Sequence, residues 1–425
     1  MKVRLAYGKE GLWIELPEGL EVKIIEPKFV PGLPDESSAI RKALREPIAS
    51  PPLRELVRPS DTVAIVFSDI TRPMPNRRVI PLILEELSHI PRENIVLINA
   101  LGTHRPQTRQ ELEEMLGPEV VSNYTIIQHD CYDKSALYYL GETSFGHPAW
   151  VNKAYIEASV KILTGFIEPH FFAGFSGGPK AVLPGIAGIE TILLNHGAEM
   201  IDNPQATWGV TEGNPIWEEI REVAFKTQPS FLVNVTLNRE KQITGVFAGD
   251  VWEAHAQGVK FAAASAMVEV EEPFDIVITS NSGYPLDINL YQAVKGMSAA
   301  ARVVKEGGSI IIAAECRDGI PEHGEYKNIL KMASSPAELL EIIRRPGFLV
   351  QDQWEAQIQA LVQLKADVYV KSSYLTEGQI KEALLKPCSS IEETLGELLV
   401  KYGPGAKVCI LPEGPQTIPY LRQQA

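Results

Sequence analysis

The sequence predicts an α/β protein built as two domains with mostly parallel sheets, and three observations carry that expectation. Short β-branched runs recur along the chain, each bounded by turn residues, and most are continuously apolar, as strands buried on both faces of a parallel sheet must be. Helix-like stretches separate them, which is the βαβ alternation of crossover-connected layers. At 425 residues and ~150 residues per domain, the chain holds about two or three such units.

In chain order, strands are expected at residues 62–67 (TVAIVF), 94–99 (NIVLIN), 160–164 (VKILT), 231–237 (FLVNVTL), 275–279 (DIVIT), 309–313 (SIIIA), 367–370 (DVYV) and 407–411 (KVCIL). Helices are expected at 76–90, 108–116, 216–227, 251–266 and 335–343. The acidic, proline-ended stretch 268–273 (VEVEEP) divides the chain. Residues 1–267 form a larger N-terminal α/β domain, and residues 272–411 a smaller C-terminal one. Residues 412–425, rich in Pro, Gly and Gln, form a tail folded back over a domain surface.

Composition narrows the function. Forty basic residues against 54 acidic ones leave a formal charge of −14, and without a basic stripe nucleic acid is not an expected partner. No run of about 18 apolar residues suggests a membrane span. The N-terminus lacks the apolar core of a signal peptide. Four scattered cysteines with no CxxC pair fit a reducing cytoplasm and argue against a thiolate zinc site.

Open parallel sheets place ligands beyond the carboxyl ends of their strands. Three consecutive expected strands run there into Asp69-Ile70-Thr71-Arg72, Gly102-Thr103-His104 and Glu168-Pro169-His170. Each piece alone has an ordinary reading, as a cap, a surface ion pair or a hydrogen-bonded histidine. The glycine-dense segment 173–180 (AGFSGGPK) misses the phosphate-loop spacing, and no GxGxxG follows a strand, so ordinary nucleotide or NAD binding is weakly supported. Taken together, however, the strands deliver Asp69 with Arg72, His104 and His170 to one rim, and the glycine-dense segment with Lys180, followed by Asn195-His196-Gly197, is suited to wrapping a site. Phe171, Phe172 and Phe175 follow His170 closely and suit either an apolar site wall or the core.

These pieces resemble the lactate racemase family, whose members use a nickel-pincer nucleotide. The matching motifs are Asp69-Ile70-Thr71-Arg72-Pro73, Gly102-Thr103-His104, Glu168-Pro169-His170, residues 173–178 with Lys180, Asn195-His196, and Tyr291-Gln292-Ala293-Val294-Lys295-Gly296. From His104 to His170, on to Lys180 and on to His196 the separations are 66, 10 and 16 residues.

The resemblance implies two Rossmann-like α/β domains with an interdomain active site. It implies a pincer nucleotide covalently attached at Lys180, nickel ligated by His196, and the nucleotide bound by Asp69, Ile70, Thr71 and Arg72. His104 and His170 become the acid/base pair, one serving each enantiomer. Arg72, Gln292 and Lys295 bind a small 2-hydroxy acid, lactate by default, with malate, aryl-lactate or a sugar acid as alternatives. Cofactor-synthesis proteins would be transient partners. Two readings of other kinds stand beside this one: a non-catalytic pincer-binding or delivery protein, and a metallohydrolase with a three-His site at His104, His170 and His196.

Overall fold

In the computed structural model, which describes residues 1–422, all eight expected strands fall into two six-stranded sheets. The first runs in the order Ile243–Gly249, Phe231–Leu237, Val160–Phe166, Val63–Ser68, Ile95–Ala100, Thr125–Gln128. Its neighbours are parallel except for the outermost pair. The second runs Lys386–Pro387, Ala366–Lys371, Val304–Ala313, Phe274–Ser280, Val408–Leu411, Val22–Ile24 and is parallel throughout. Unbroken apolarity is satisfied as expected: Ile65, Val66 and Phe67 have no exposed surface, nor do Ile310, Ile311 and Ile312.

The helices observed near the expected ones are Asn76–Glu86, Arg109–Leu116, Pro215–Lys226, Val251–Ala266 and Pro336–Ile343. Side chains of Thr108, Asn214, Asp250 and Ser335 accept the first free N–H groups of four of them, which fixes where each helix starts. The helix at 76 ends at Glu86, short of residue 90, where the Leu87 N–H turns back to Ile83 O and Glu85 O.

Strand order creates two crevices. In the first sheet the chain builds outward in opposite directions from Val63–Ser68 and Val160–Phe166. In the second, Val304–Ala313, Ala366–Lys371 and Lys386–Pro387 extend outward on one side of Phe274–Ser280, while Val408–Leu411 and, beyond it, the earlier strand Val22–Ile24 lie on the other. Ligands bind beyond the carboxyl ends at such switch points, and both crevices open into the same space between the sheets.

The chain start departs from the expected division. Strands Lys2–Leu5 and Leu12–Glu15 form a hairpin whose Leu5 and Ile14 pack with Ile276, Ile278 and Ile311 of the second sheet. Strand Val22–Ile24 then pairs with Val408–Ile410. The first 24 residues therefore complete the second unit rather than the first. Their short alternating strands carry too little apolar surface to announce themselves in the sequence.

The stretch read as a linker forms strand Met267–Val270, which pairs in parallel with Ile418–Leu421 of the tail. The described part of the tail is thus bound where the two units meet; residues 423–425 lie outside the described residues. No helix among those described is long and apolar enough to cross a membrane.

Because Leu5 is wholly enclosed by the second core, Leu5→Ala should cost about 2–5 kcal/mol by cavity formation. Urea melting would measure this; a hairpin that merely decorated the surface would lose almost nothing.

Candidate active site

Between the two sheets lies a cavity of about 150 Å³. From the first unit Asp69, Arg72, His104, His170, Lys180 and His196 line it, and from the second Gln292 and Lys295. All the sequence-predicted site residues therefore meet there except Ile70 and Thr71. Thr71 instead donates its hydroxyl to Asp69 Oδ1 at 2.8 Å and accepts from Arg72 at 3.1 Å.

The strand Val63–Ser68 ends in a turn closed by Arg72 N–H to Asp69 O, which buries the Asp69 carboxylate. Its Oδ2 lies 2.6 Å from His104 Nδ1. Burial pushes the Asp69 carboxyl up, but His104 and Arg72 outweigh that and hold it below its usual range. An ionised Asp69 claims the Nδ1–H of His104 and leaves Nε2 as the free lone pair, the orientation used by a general base.

His170 sits at the turn between two short antiparallel strands, Pro169–His170 and Gly174–Phe175. The turn points the backbone N–H groups of Ala173 and Phe172 at its Nδ1, at 3.2 and 3.5 Å. Burial, with Lys180, Lys295 and Arg72 nearby, holds the ring's pKa well below the ordinary histidine value.

Lys180 belongs to the single turn Gly178–Ala181. Gly178 has φ +53°, and a Cβ there would come within 2.5 Å of the His255 ring. That ring is itself fixed, donating Nε2–H to Ser176 O at 3.0 Å and stacking on Trp217. The glycines therefore let the backbone pass close enough to aim Lys180 into the cavity. Its ammonium lies 5.6 Å from the Phe172 ring centre. Burial and the neighbouring Arg72 and Lys295 push its pKa down to about 7. A lysine in that state is substantially neutral at physiological pH and nucleophilic.

His196 ends the helix Ile189–Asn195, held edge-on between Phe172 and Trp354 at 4.9 and 5.1 Å. Its Nδ1 is buried without a hydrogen-bond partner. Burial, with Lys180 adding to it, keeps the ring neutral. It is thus a neutral imidazole at the cavity wall, suited to donate a lone pair to a metal. Among the described residues no group of three His, Cys, Asp or Glu side chains is placed to hold a metal ion. The three-His hydrolase site therefore has no counterpart among the described residues, and a metal on His196 would need donors other than a set of such side chains.

From the second unit, Lys295 donates to Gln292 Oε1 at 2.6 Å, three residues away on one helical face. Trp354, Glu355 and Tyr291 also line the cavity, with Trp354 Nε1–H donating to Tyr291 Oη at 2.8 Å. Burial pushes the Glu355 carboxyl up, opposed by Lys295. Burial and Arg72 in turn push Lys295 down. Sequence reasoning missed Trp354 and Glu355. Their segment, Gln353–Lys365, reads QWEAQIQALVQLK, a polar helix by composition, yet Gln353, Glu355, Gln357 and Gln359 are all buried. Phe171 and Phe172 form a wall of the cavity, whereas Phe175 packs away from it against Ile167 and Ala262.

Residues 7–209 match a family profile described as the lactate racemase N-terminal domain, and residues 269–418 one described as the lactate racemase C-terminal domain. The chain is 36% identical over 422 residues to a lactate racemase of Thermoanaerobacterium thermosaccharolyticum, covering 98% of each. It is 38% identical over 381 residues to a lactate racemase of Lactiplantibacillus plantarum, covering 89% of this chain and 90% of that one. A solved lactate racemase apoprotein from T. thermosaccharolyticum superimposes with a TM-score of 0.91 at 35% identity over the whole of both chains. A Thermotoga maritima protein shares the fold at TM-score 0.72 and 19% identity, over 93% of this chain and all of that one.

The lysine's depressed pKa makes a signed prediction. Arg72→Gln or Lys295→Met removes a repelling cation and should raise the Lys180 pKa, slowing its reductive methylation at neutral pH relative to surface lysines. Peptide mass mapping across a pH series reads this directly; an unchanged rate would mean that burial alone sets the value.

Proposed function

Because the chain belongs to the lactate racemase family, we propose that this isomerase racemises a 2-hydroxy carboxylic acid, lactate foremost, using a nickel-pincer nucleotide attached at Lys180. The observation that carries this reading is the meeting in one cavity of a near-neutral lysine, a neutral histidine with no protein partner at its buried nitrogen, and an Asp-supported imidazole.

The residues present fit such a group. Lys180 has the nucleophilicity to bond it, and His196 supplies one neutral nitrogen donor beside those of the group itself. The Asp69–Arg72 turn, just ahead of the helix Asn76–Glu86, suits its phosphate. When bound, the group supplies a hydride acceptor, which matters because the C2 hydrogen of a hydroxy acid is too weakly acidic for an imidazole to remove as a proton.

The protein's own part is binding and proton handling. Arg72 and Lys295 offer positive charge to the substrate carboxylate, and a guanidinium can grip it through two hydrogen bonds. His104 takes the hydroxyl proton at Nε2 while Asp69 stabilises the imidazolium that results. Phe171 and Phe172 present an apolar face beside His170, favouring a small or apolar group at C3. Enclosure between two units excludes water and retains the keto acid until it is reduced again. A pincer-delivery protein would have no use for the Asp69–His104 pair, so its presence favours catalysis. The setting is a reducing cytoplasm, with the cofactor-synthesis proteins as transient partners.

Co-expression with nickel and cofactor-synthesis proteins should add mass at Lys180. The loaded protein should erase the optical purity of a 2-hydroxy acid in a substrate screen. His104→Ala should keep the adduct but lower the rate by about 10²–10⁴-fold, the usual worth of a positioned general base. A protein that gains no mass on Lys180 and leaves every 2-hydroxy acid optically pure would refute the reading.

A further inference from the structure

Behind the stretch of cavity wall that carries His196 sits a carboxylate closed off from solvent. Glu219, within the helix Pro215–Lys226, has no exposed side-chain surface. Burying such a group is costly unless its oxygens are satisfied, and both are. Oε1 accepts the Thr143 hydroxyl at 2.6 Å and lies 2.8 Å from His147 Nδ1. Oε2 accepts the side-chain N–H of Asn195 at 2.9 Å.

The first of these oxygens docks a hairpin. Strands Leu137–Glu142 and Pro148–Asn152 pair antiparallel, and Thr143 and His147 lie in the turn between them. Docking alone does not call for a carboxylate this deep. One helical turn further on, Glu222 holds the same hairpin nearer the surface, accepting the Ser144 N–H at 3.0 Å and its hydroxyl at 2.6 Å. What Glu222 does not reproduce is the second oxygen of Glu219.

That oxygen fixes Asn195. A carboxylate only accepts, so the amide must turn its nitrogen toward it, and the same nitrogen donates to Ile216 O at 3.2 Å. The amide oxygen is left buried without a partner, a standing cost of this orientation. Asn195 is the last residue of the helix Ile189–Asn195, and His196 follows it directly. On the far side of His196, Gln357 of the second unit donates to Ala198 O at 3.0 Å. The edge-on contacts with Phe172 and Trp354 confine the ring, but they do not set where its backbone stands. Asn195 does that from the first unit.

We propose that Glu219 is a positioning residue: through Asn195 it sets where His196 enters the cavity, and so how firmly that ring holds a metal ion. This rests on the reading of His196 as the metal donor given above and adds the part of the protein that holds it in place. Glu219→Gln has a single side-chain oxygen and cannot accept from both the hairpin and Asn195. Asn195→Ala cuts the same link from its other end. Thr143→Val loosens the hairpin alone and leaves the link to Asn195 intact.

Selective 15N-histidine NMR on the protein without cofactor reads the ring regardless of any activity. Glu219→Gln and Asn195→Ala should each shift or split the His196 signals, and Thr143→Val should leave them in place. An unmoved His196 signal in either of the first two variants, or an equal change in Thr143→Val, overturns the proposal. Should Glu219→Gln not fold, Asn195→Ala against Thr143→Val decides alone.

In the loaded protein, Glu219→Gln and Asn195→Ala should hold nickel about ten- to a hundredfold less tightly against a chelator, with the adduct on Lys180 still in place. The double variant should be no weaker than either single one, because both cut one link. A nickel loss that follows the melting temperature across all variants, Thr143→Val included, is the mark of a purely structural network and overturns the proposal. If the parent protein takes up neither adduct nor nickel, the racemase reading has failed, and the His196 signals still decide the role of Glu219.

Discussion

Three cations enclosed in one cavity set the terms for everything around them. Arg72, Lys180 and Lys295 are withdrawn from water within reach of each other's fields, an arrangement that is tolerable only where opposite charge offsets it or a proton is given up. Both solutions are present. Asp69, held below its usual range, answers with a carboxylate, whereas burial pushes Glu168 and Glu355 up toward their neutral forms, and Lys180 relaxes toward the neutral amine. Burial first, with the same cations adding to it, keeps His170 and His196 from charging. A near-neutral lysine and two neutral imidazoles thus arise together from burial and from the charges that share the cavity.

The global charge of −14 gives no hint of this. Acidic residues dominate the solvated exterior, where each is screened and individually weak. The cavity, poor in solvent, is governed by the few charges that reach it. An anionic substrate and a strongly acidic protein are therefore compatible, because the long-range repulsion is screened while the local attraction is not.

Much of this was legible in the sequence, and the reason differs by element. Strands buried on both faces must be apolar throughout, so the eight principal ones announced themselves. The polar residues just beyond them could then be collected onto one rim, and His104, His170, Lys180, His196, Gln292 and Lys295 do meet there. What escaped notice lacked a one-dimensional signature. The Gln353–Lys365 helix is polar along its length, and only tertiary packing turns Trp354 and Glu355 inward. The different Nδ1 partners of His104 and His170, a carboxylate and peptide N–H groups, come from tertiary turns that the linear sequence does not display. The N-terminal hairpin was too short and too alternating to be assigned to a distant sheet.

That hairpin and the strand after it also bear on how the protein is made. The chain starts in the second unit, leaves it to build the whole first sheet, and returns to finish where it began. On the ribosome the first sheet can close as soon as its own strands have emerged, since domains fold as units during synthesis. Val22–Ile24 has no such option: its partner strand, Val408–Leu411, is translated only after the whole first sheet. That strand must then stay unpaired while the first sheet is made, and its shortness together with the exposed charge of Lys23 makes it a poor template for pairing with other chains meanwhile. Because residues of both units line the cavity, it is complete only once the second sheet, with strands from distant parts of the chain, has closed.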